Sequence, residues 1–160
     1  MAATKTTRTA PRSNPPGSAS GPATSARLPY LIGRTDRIVK RRLGEALAPH
    51  GLTVPQFTAL SVLYARGSLS NAQLAERSFM SPQSANEVVK TMEARGWVTR
   101  TPDPTHGRIV MLGLTDAALA LLALCDEAVS RLEKEMLQGI DAAHAELLHD
   151  LLLQCGRNLR

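Results

Sequence analysis

Between Leu28 and Leu47 the apolar residues Leu28, Leu31, Ile32, Ile38, Val39, Leu43 and Leu47 recur at helical spacing, while Arg34, Arg37, Lys40, Arg41 and Arg42 occupy the other faces. This pattern predicts a first amphipathic helix that stops near Pro49 and Gly51. In "LTVPQF" Thr53 and Gln56 have the spacing of a capping box, and Leu52 and Phe57 sit at the two positions of a hydrophobic staple. A second helix is expected from there to about Ala65. The same grammar returns in "LSNAQL", where Ser70 and Gln73 form the box and Leu69 and Leu74 the staple, so a short third helix should run to about Arg77.

After "SFM" comes "SPQSANEVVKTMEARGW". Ser81 is placed to cap orphan N–H groups and Pro82 to occupy the first helical position, where no donor is missed. Ala85, Val88, Val89 and Met92 form one stripe of this fourth helix. Gln83, Glu87 and Lys90 lie opposite, with Ser84, Asn86 and Thr91 on the flanks. Two helices joined by so tight a turn read as a helix-turn-helix. The β-prone runs "WVTRT" and "RIVMLGL", separated by "PDPTHG", predict a hairpin. Thr115 then caps a long helix with Leu119, Leu122, Val129, Leu132 and Met136 on its apolar stripe. A break at Gly139 precedes a last helix carrying Leu147, Leu148, Leu151 and Leu152. The fold class is therefore mainly α with a small β-hairpin wing.

Charge adds a direction to this pattern. The net charge is +5 over 160 residues, but residues 116 to 150 hold eight acidic and two basic side chains, so the excess of positive charge lies earlier in the chain. A polyanion would be drawn to the earlier segments and repelled by the later one. Residues 1–28, rich in Thr, Ser, Ala, Pro and Gly, carry Lys5, Arg8, Arg12 and Arg27 and no acid. With almost nothing to bury they are expected to be a disordered basic tail. Residues 29–160 should form one domain, with 43% hydrophobic content over the whole chain ample for a core. No apolar run is long enough for a signal peptide or membrane span, so a cytoplasmic protein without a membrane partner is expected. Cys125 and Cys155 lack C-x-x-C spacing and read as buried, reduced packing residues. His50, His106, His144 and His149 show no triad or metal spacing, and there is no Gly-rich phosphate loop. An enzyme is therefore not expected, nor a cofactor or metal; a zinc site from His144, His149 and Cys155 is disfavoured.

The polar start of a second helix in a helix-turn-helix suits base edges, and helix-start amides suit phosphates. Gln83 and Ser84 are expected to contact bases, and Lys90 phosphate. Asn86 and Glu87 are read equally as base contacts or as solvated residues. Ser81 and Thr91 complete the candidate set on this helix. A winged-helix module that binds protein instead of DNA is the alternative class, separable by binding to random duplex at low salt.

The stretches "GLTVPQFTALSVL", "LSNAQLAER", "MSPQSANEVVKTMEARGWVTRTPDP", "GRIVMLGLT" and "DAALALL" together resemble the multiple-antibiotic-resistance regulator (MarR) family over roughly residues 30 to 155. The resemblance implies a homodimer built by residues 29–50 and 116–160, flanking a winged helix-turn-helix at 53–115. It implies a ligand-responsive regulator, expected to act as a repressor on an inverted-repeat operator in double-stranded DNA. The fourth helix would enter the major groove and Arg108, at the wing tip, the minor groove. Relatives commonly brace that arginine with an aspartate two residues earlier. Here the position is His106, either a phosphate contact or an exposed turn residue, with Asp103 as a substitute brace. The resemblance also implies a small organic effector, such as an aromatic or apolar acid, within reach of Tyr30, Arg34, His50 and Tyr64. In one redox-sensing branch the reactive cysteine lies near the start of the first helix, and this sequence has none there.

Overall fold

The computed structural model describes residues 27–103, 105 and 109–159. The expectations for the basic tail before residue 27, and for His106 and Arg108 at the wing tip, lie outside the described residues. The chain divides into two compact units, which within the described residues are 27–35 and 36–159.

The helices are α1 (Leu28–Leu47), α2 (Val54–Arg66), α3 (Asn71–Arg77), α4 (Pro82–Ala94), α5 (Asp116–Met136) and α6 (Ala142–Asn158). The strands are β1 (Leu69–Ser70), β2 (Val98–Pro102) and β3 (Val110–Leu114). A 3-10 turn at Ala48–His50 ends α1, and Gly51 follows in the left-handed region at φ 71°. Both capping boxes form. Thr53 Oγ1 accepts from the Gln56 N–H at 3.4 Å while Gln56 Oε1 accepts from the Thr53 N–H at 3.0 Å. Ser70 and Gln73 repeat the exchange at 3.3 and 2.9 Å. Each box satisfies two donors that the first turn would leave orphaned, worth about 1 kcal/mol per cap.

The sheet exceeds the predicted hairpin. It has three antiparallel strands in the order β1-β3-β2, with Leu69 of β1 opposite Leu112 of β3, itself opposite Arg100 of β2. Ser70 therefore closes a strand and caps α3 at once. Leu47, Leu60, Leu63, Leu74, Val89, Met92, Leu112 and Cys125 are fully buried, so the core is shared by α1, α2, α3, α4, β3 and α5. The Cys125 thiol is pushed up from its ordinary pKa by burial, which suits packing and not nucleophilic chemistry.

Cys155 corrects the sequence reading: it is exposed. The cause is its helix, because α6 contributes no buried residue, and Leu147, Leu148, Leu151, Leu152 and Leu153 are exposed with it. No helix among the described residues is long and apolar enough to cross a membrane. Nor does any cluster of three or more metal-ligating side chains occur among them. His144 pairs with Asp141 at 2.7 Å and His149 lies 3.2 Å from Asp150.

Candidate nucleic-acid interface

The turn between α3 and α4 is built by a Schellman motif. The Phe79 N–H donates to the Glu76 carbonyl at 3.2 Å and the Met80 N–H to the Ala75 carbonyl at 2.9 Å. This geometry places Phe79 at φ 53°, the left-handed region that normally takes glycine, with its side chain exposed. Two residues later Ser81 starts α4, its Oγ accepting from the Ser84 N–H at 3.1 Å and donating to Ser84 Oγ at 2.9 Å.

From that start α4 separates two faces. Ala85, Val89 and Met92 are buried. Ser81, Gln83, Ser84, Asn86, Glu87, Lys90 and Thr91 are all exposed, so the structure brings the predicted helix residues onto one accessible surface. Their partners differ. The Gln83 side chain makes no hydrogen bond among the described residues. Asn86 Oδ1 accepts from Asn71 Nδ2 at 2.9 Å, tying α4 to α3, while Asn71 Oδ1 is buried without a partner among the described residues. Lys90 Nζ sits 3.4 Å from Glu87 Oε1, and Thr91 Oγ1 donates to the Glu87 carbonyl at 3.0 Å. The Glu87 pair is exposed on both sides and contributes little to stability, but it offsets the lysine's charge at the helix surface.

The far end of α4 is fastened more heavily. Gly96, at φ 70°, and Trp97 close a second Schellman motif onto Glu93 and Met92. Thr115 Oγ1 donates to the Gly96 carbonyl at 2.7 Å and also accepts from the Ala118 N–H at 3.3 Å, so one hydroxyl joins the helix end to the start of α5. Arg95 Nη1 donates to the Gly51 carbonyl at 2.7 Å, and its guanidinium lies 4.9 Å from the Trp97 ring centroid. Arg100 Nε is 3.0 Å from both carboxylate oxygens of Glu93, holding β2 to α4. Sequence reading missed Arg95, Glu93, Arg100 and Asn71. No short-range spacing marks them, since each bond joins separate elements.

Two of the predicted effector residues, His50 and Tyr64, line different cavities. Tyr30 and Arg34 are exposed within the unit 27–35. His50 lines a cavity of about 460 Å³ with Arg42, Arg131 and Glu135, where Arg42 Nη2 lies 2.7 Å from Glu135 Oε2 and joins α1 to α5. Tyr64 lines a different cavity, of about 450 Å³, between α2 and α5 with Phe57, Ser61, Leu122 and Asp126. A larger cavity of about 910 Å³ lies between α2 and α3, lined by Phe57, Ser61, Arg66, Arg77 and Phe79 among others. Neither Arg66 nor Arg77 has a carboxylate within ion-pair distance among the described residues. Phe57 and Ser61 border both this cavity and the one at Tyr64.

Helix-turn-helix, three-stranded wing and long flanking helices define a winged helix-turn-helix protein. A family model described as MarR family matches residues 50–109. The HTH-type transcriptional repressor Rv2887 of Mycobacterium tuberculosis is 30% identical over 136 residues, covering 85% of this chain and 98% of the relative. Among solved structures, a MarR mutant from Escherichia coli complexed with operator DNA is similar at TM-score 0.71 and 25% identity, over 80% of this chain and 92% of that one. The Mycobacterium tuberculosis MarR family protein Rv2887, in complex with salicylic acid, is similar at TM-score 0.68 and 29% identity, over 83% and 98%. The chain belongs to the MarR family of transcriptional regulators.

Proposed function

We propose that the protein is a homodimeric, sequence-specific DNA-binding repressor whose affinity for an inverted-repeat operator is set by a small organic effector. The observation that carries this reading is α4, which buries Ala85, Val89 and Met92 while presenting Gln83, Ser84, Asn86, Glu87 and Lys90 to solvent. Gln83 reads a base edge with an amide that none of the described residues hydrogen-bonds, and Ser84, whose oxygen already accepts from Ser81, meets DNA as a donor. Asn86 keeps its amide hydrogens for DNA while its oxygen stays with Asn71. Ser81, Lys90 and Thr91 contact the backbone, and His106 and Arg108 extend the contact from the wing.

Residues 29–50 and 116–160 form the dimerising half, and the exposed leucines of α6 support that role. Residues 53–115 form the DNA-reading half. The acidic stretch 116 to 150 then lies on the half that does not meet DNA. The protein works in the cytoplasm and catalyses no reaction. The salicylic acid complex of the Mycobacterium tuberculosis relative supports an aromatic or apolar acid as effector. The large cavity, whose lining holds two arginines, Arg66 and Arg77, against the single carboxylate of Glu76, beside Phe57 and Phe79, suits such an anion. Tyr64 and His50 border two other cavities and remain candidate ligand contacts there, as do Tyr30 and Arg34 on their own unit.

Selection of bound duplexes from a random pool, followed by anisotropy titration, tests the reading. The selected site should be an inverted repeat with half-sites about 10 base pairs apart. Gln83→Ala should weaken that site by about 1 to 3 kcal/mol and relax preference at one position in each half-site. A protein that is monomeric at micromolar concentration, or that ignores random duplex at low salt, would overturn the proposal in favour of a protein-binding module.

A further inference from the structure

We infer that Asn71 fixes the hydrogen-bonding sense of Asn86, so that Asn86 reads guanine and not adenine in the major groove. This inference rests on the DNA-binding reading above and deepens it. Asn71 opens α3 and Asn86 lies in the second turn of α4, where Asn71 Nδ2 donates to Asn86 Oδ1 at 2.9 Å. Asn86 is exposed, whereas Asn71 is half-buried and its Oδ1 is buried with no partner among the described residues. Asn86 cannot reverse its amide alone, because two amines would then face each other. Reversing both amides together would keep the bond but bury the Asn71 amine where its oxygen now sits. Unsatisfied buried hydrogens would replace one under-used carbonyl, the rarer and costlier arrangement, so the pair keeps its present sense.

An asparagine amide pairs with adenine by offering its oxygen to N6 and its nitrogen to N7 at once. With Oδ1 turned to Asn71, Asn86 offers only hydrogens. Guanine sets two acceptors, O6 and N7, side by side in the major groove. Adenine places the N6 donor beside N7, thymine backs its O4 acceptor with a methyl group, and cytosine offers the N4 donor. Guanine therefore ranks first and cytosine last. Gln83, on the same helix, is the internal contrast: its side chain makes no hydrogen bond among the described residues, so its amide can turn to take adenine. One helix thus presents two amides, one adaptable and one set by a neighbour. Asn71 is a positioning residue, acting on the base through Asn86.

The test is selection of bound duplexes from a random pool by the full chain, followed by anisotropy titration of the best duplex and its single-base variants. Asn86→Ala identifies the position that Asn86 reads, as the one in each half-site where preference relaxes. The parent should take guanine there. Replacement by 7-deazaguanine, which lacks the N7 acceptor, should weaken binding roughly 5-fold, the lower end of one base mismatch. Asn71→Ala should bring adenine level with guanine at that position and at no other. Asn71→Asp, an acid favourable at the start of α3, faces Asn86 with an acceptor only, reverses its amide and should raise cytosine above guanine. A merely structural role for Asn71 would weaken all duplexes alike, so the base ranking separates the two, with urea melts showing that each variant is folded. Any base other than guanine preferred at that position, no position relaxed by Asn86→Ala, or an unchanged ranking in either Asn71 variant overturns the inference and leaves the DNA-binding reading standing. Failure of the parent to bind any duplex overturns both, so the two failures are distinguishable.

Discussion

The two ends of α4 solve the same problem in different ways. The turn before it and the turn after it are both Schellman motifs that need one residue in the left-handed region, and the chain supplies Phe79 at the first and Gly96 at the second. Around Gly96 converge Thr115, the Arg95 bond to Gly51, the Arg95 stack on Trp97 and the Glu93–Arg100 pair. Around Ser81 the ties are local, apart from the Asn71–Asn86 bond to α3. The helix is anchored where it meets the body of the protein and lightly held where its polar residues face solvent. Strain tolerated at Phe79 is confined to the lightly held end.

Four substitutions sharpen or break this contrast. Thr115→Val should cost the most, about 2 kcal/mol of unfolding free energy, since it removes the α5 cap and the bond to the Gly96 carbonyl together. Gly96→Ala should cost slightly less, about 1.5 kcal/mol, from placing a Cβ at φ 70°; nothing lies within 4 Å of that Cβ, so conformational strain is the whole penalty. Ser81→Ala should cost about 1 kcal/mol as an N-cap loss, with little change in any interaction at the far end. Phe79→Gly should run the other way and stabilise by about 0.5 kcal/mol, because relief of left-handed strain slightly exceeds the entropy that glycine adds to the unfolded chain. Urea denaturation of the four proteins decides the ranking. If Ser81→Ala proves costlier than Thr115→Val, the heavy anchor is at the wrong end. If Phe79→Gly destabilises, the exposed ring contributes more than the strain it imposes.

Much of the fold was legible because helix starts are written locally. Thr53 with Gln56, Ser70 with Gln73, and Ser81 before Pro82 each place cap and capped group within three residues, so spacing alone identifies them. The stripe of Ala85, Val89 and Met92 followed from helical periodicity in the same way. Strand β1 escaped notice because two residues carry no periodicity, and it exists by pairing with β3 some forty positions later. The ties of Arg95 to Gly51 and of Asn71 to Asn86 were equally hidden, since polar residues at exposed helix positions look alike until their neighbours are known. Cys155 was misjudged because an apolar neighbourhood in sequence predicts burial only if something covers that face. His50 and Tyr64 could not be assigned to separate cavities from sequence, because that depends on which side of α2 and α5 each side chain occupies.

Trp97 is the chain's single tryptophan, and it sits half-buried at the anchored end of α4. The Arg95 guanidinium lies over its ring and its carbonyl accepts from the Thr115 N–H at 3.1 Å. The protein thus carries a built-in optical reporter at the joint between helix, wing and α5. With excitation confined to the indole, the two tyrosines, Tyr30 and Tyr64, contribute no background. Any event that lifts the guanidinium from the ring changes the polarity and quenching that the indole feels. Emission wavelength and lifetime will follow the unfastening of this joint in real time, without a dye or a substitution.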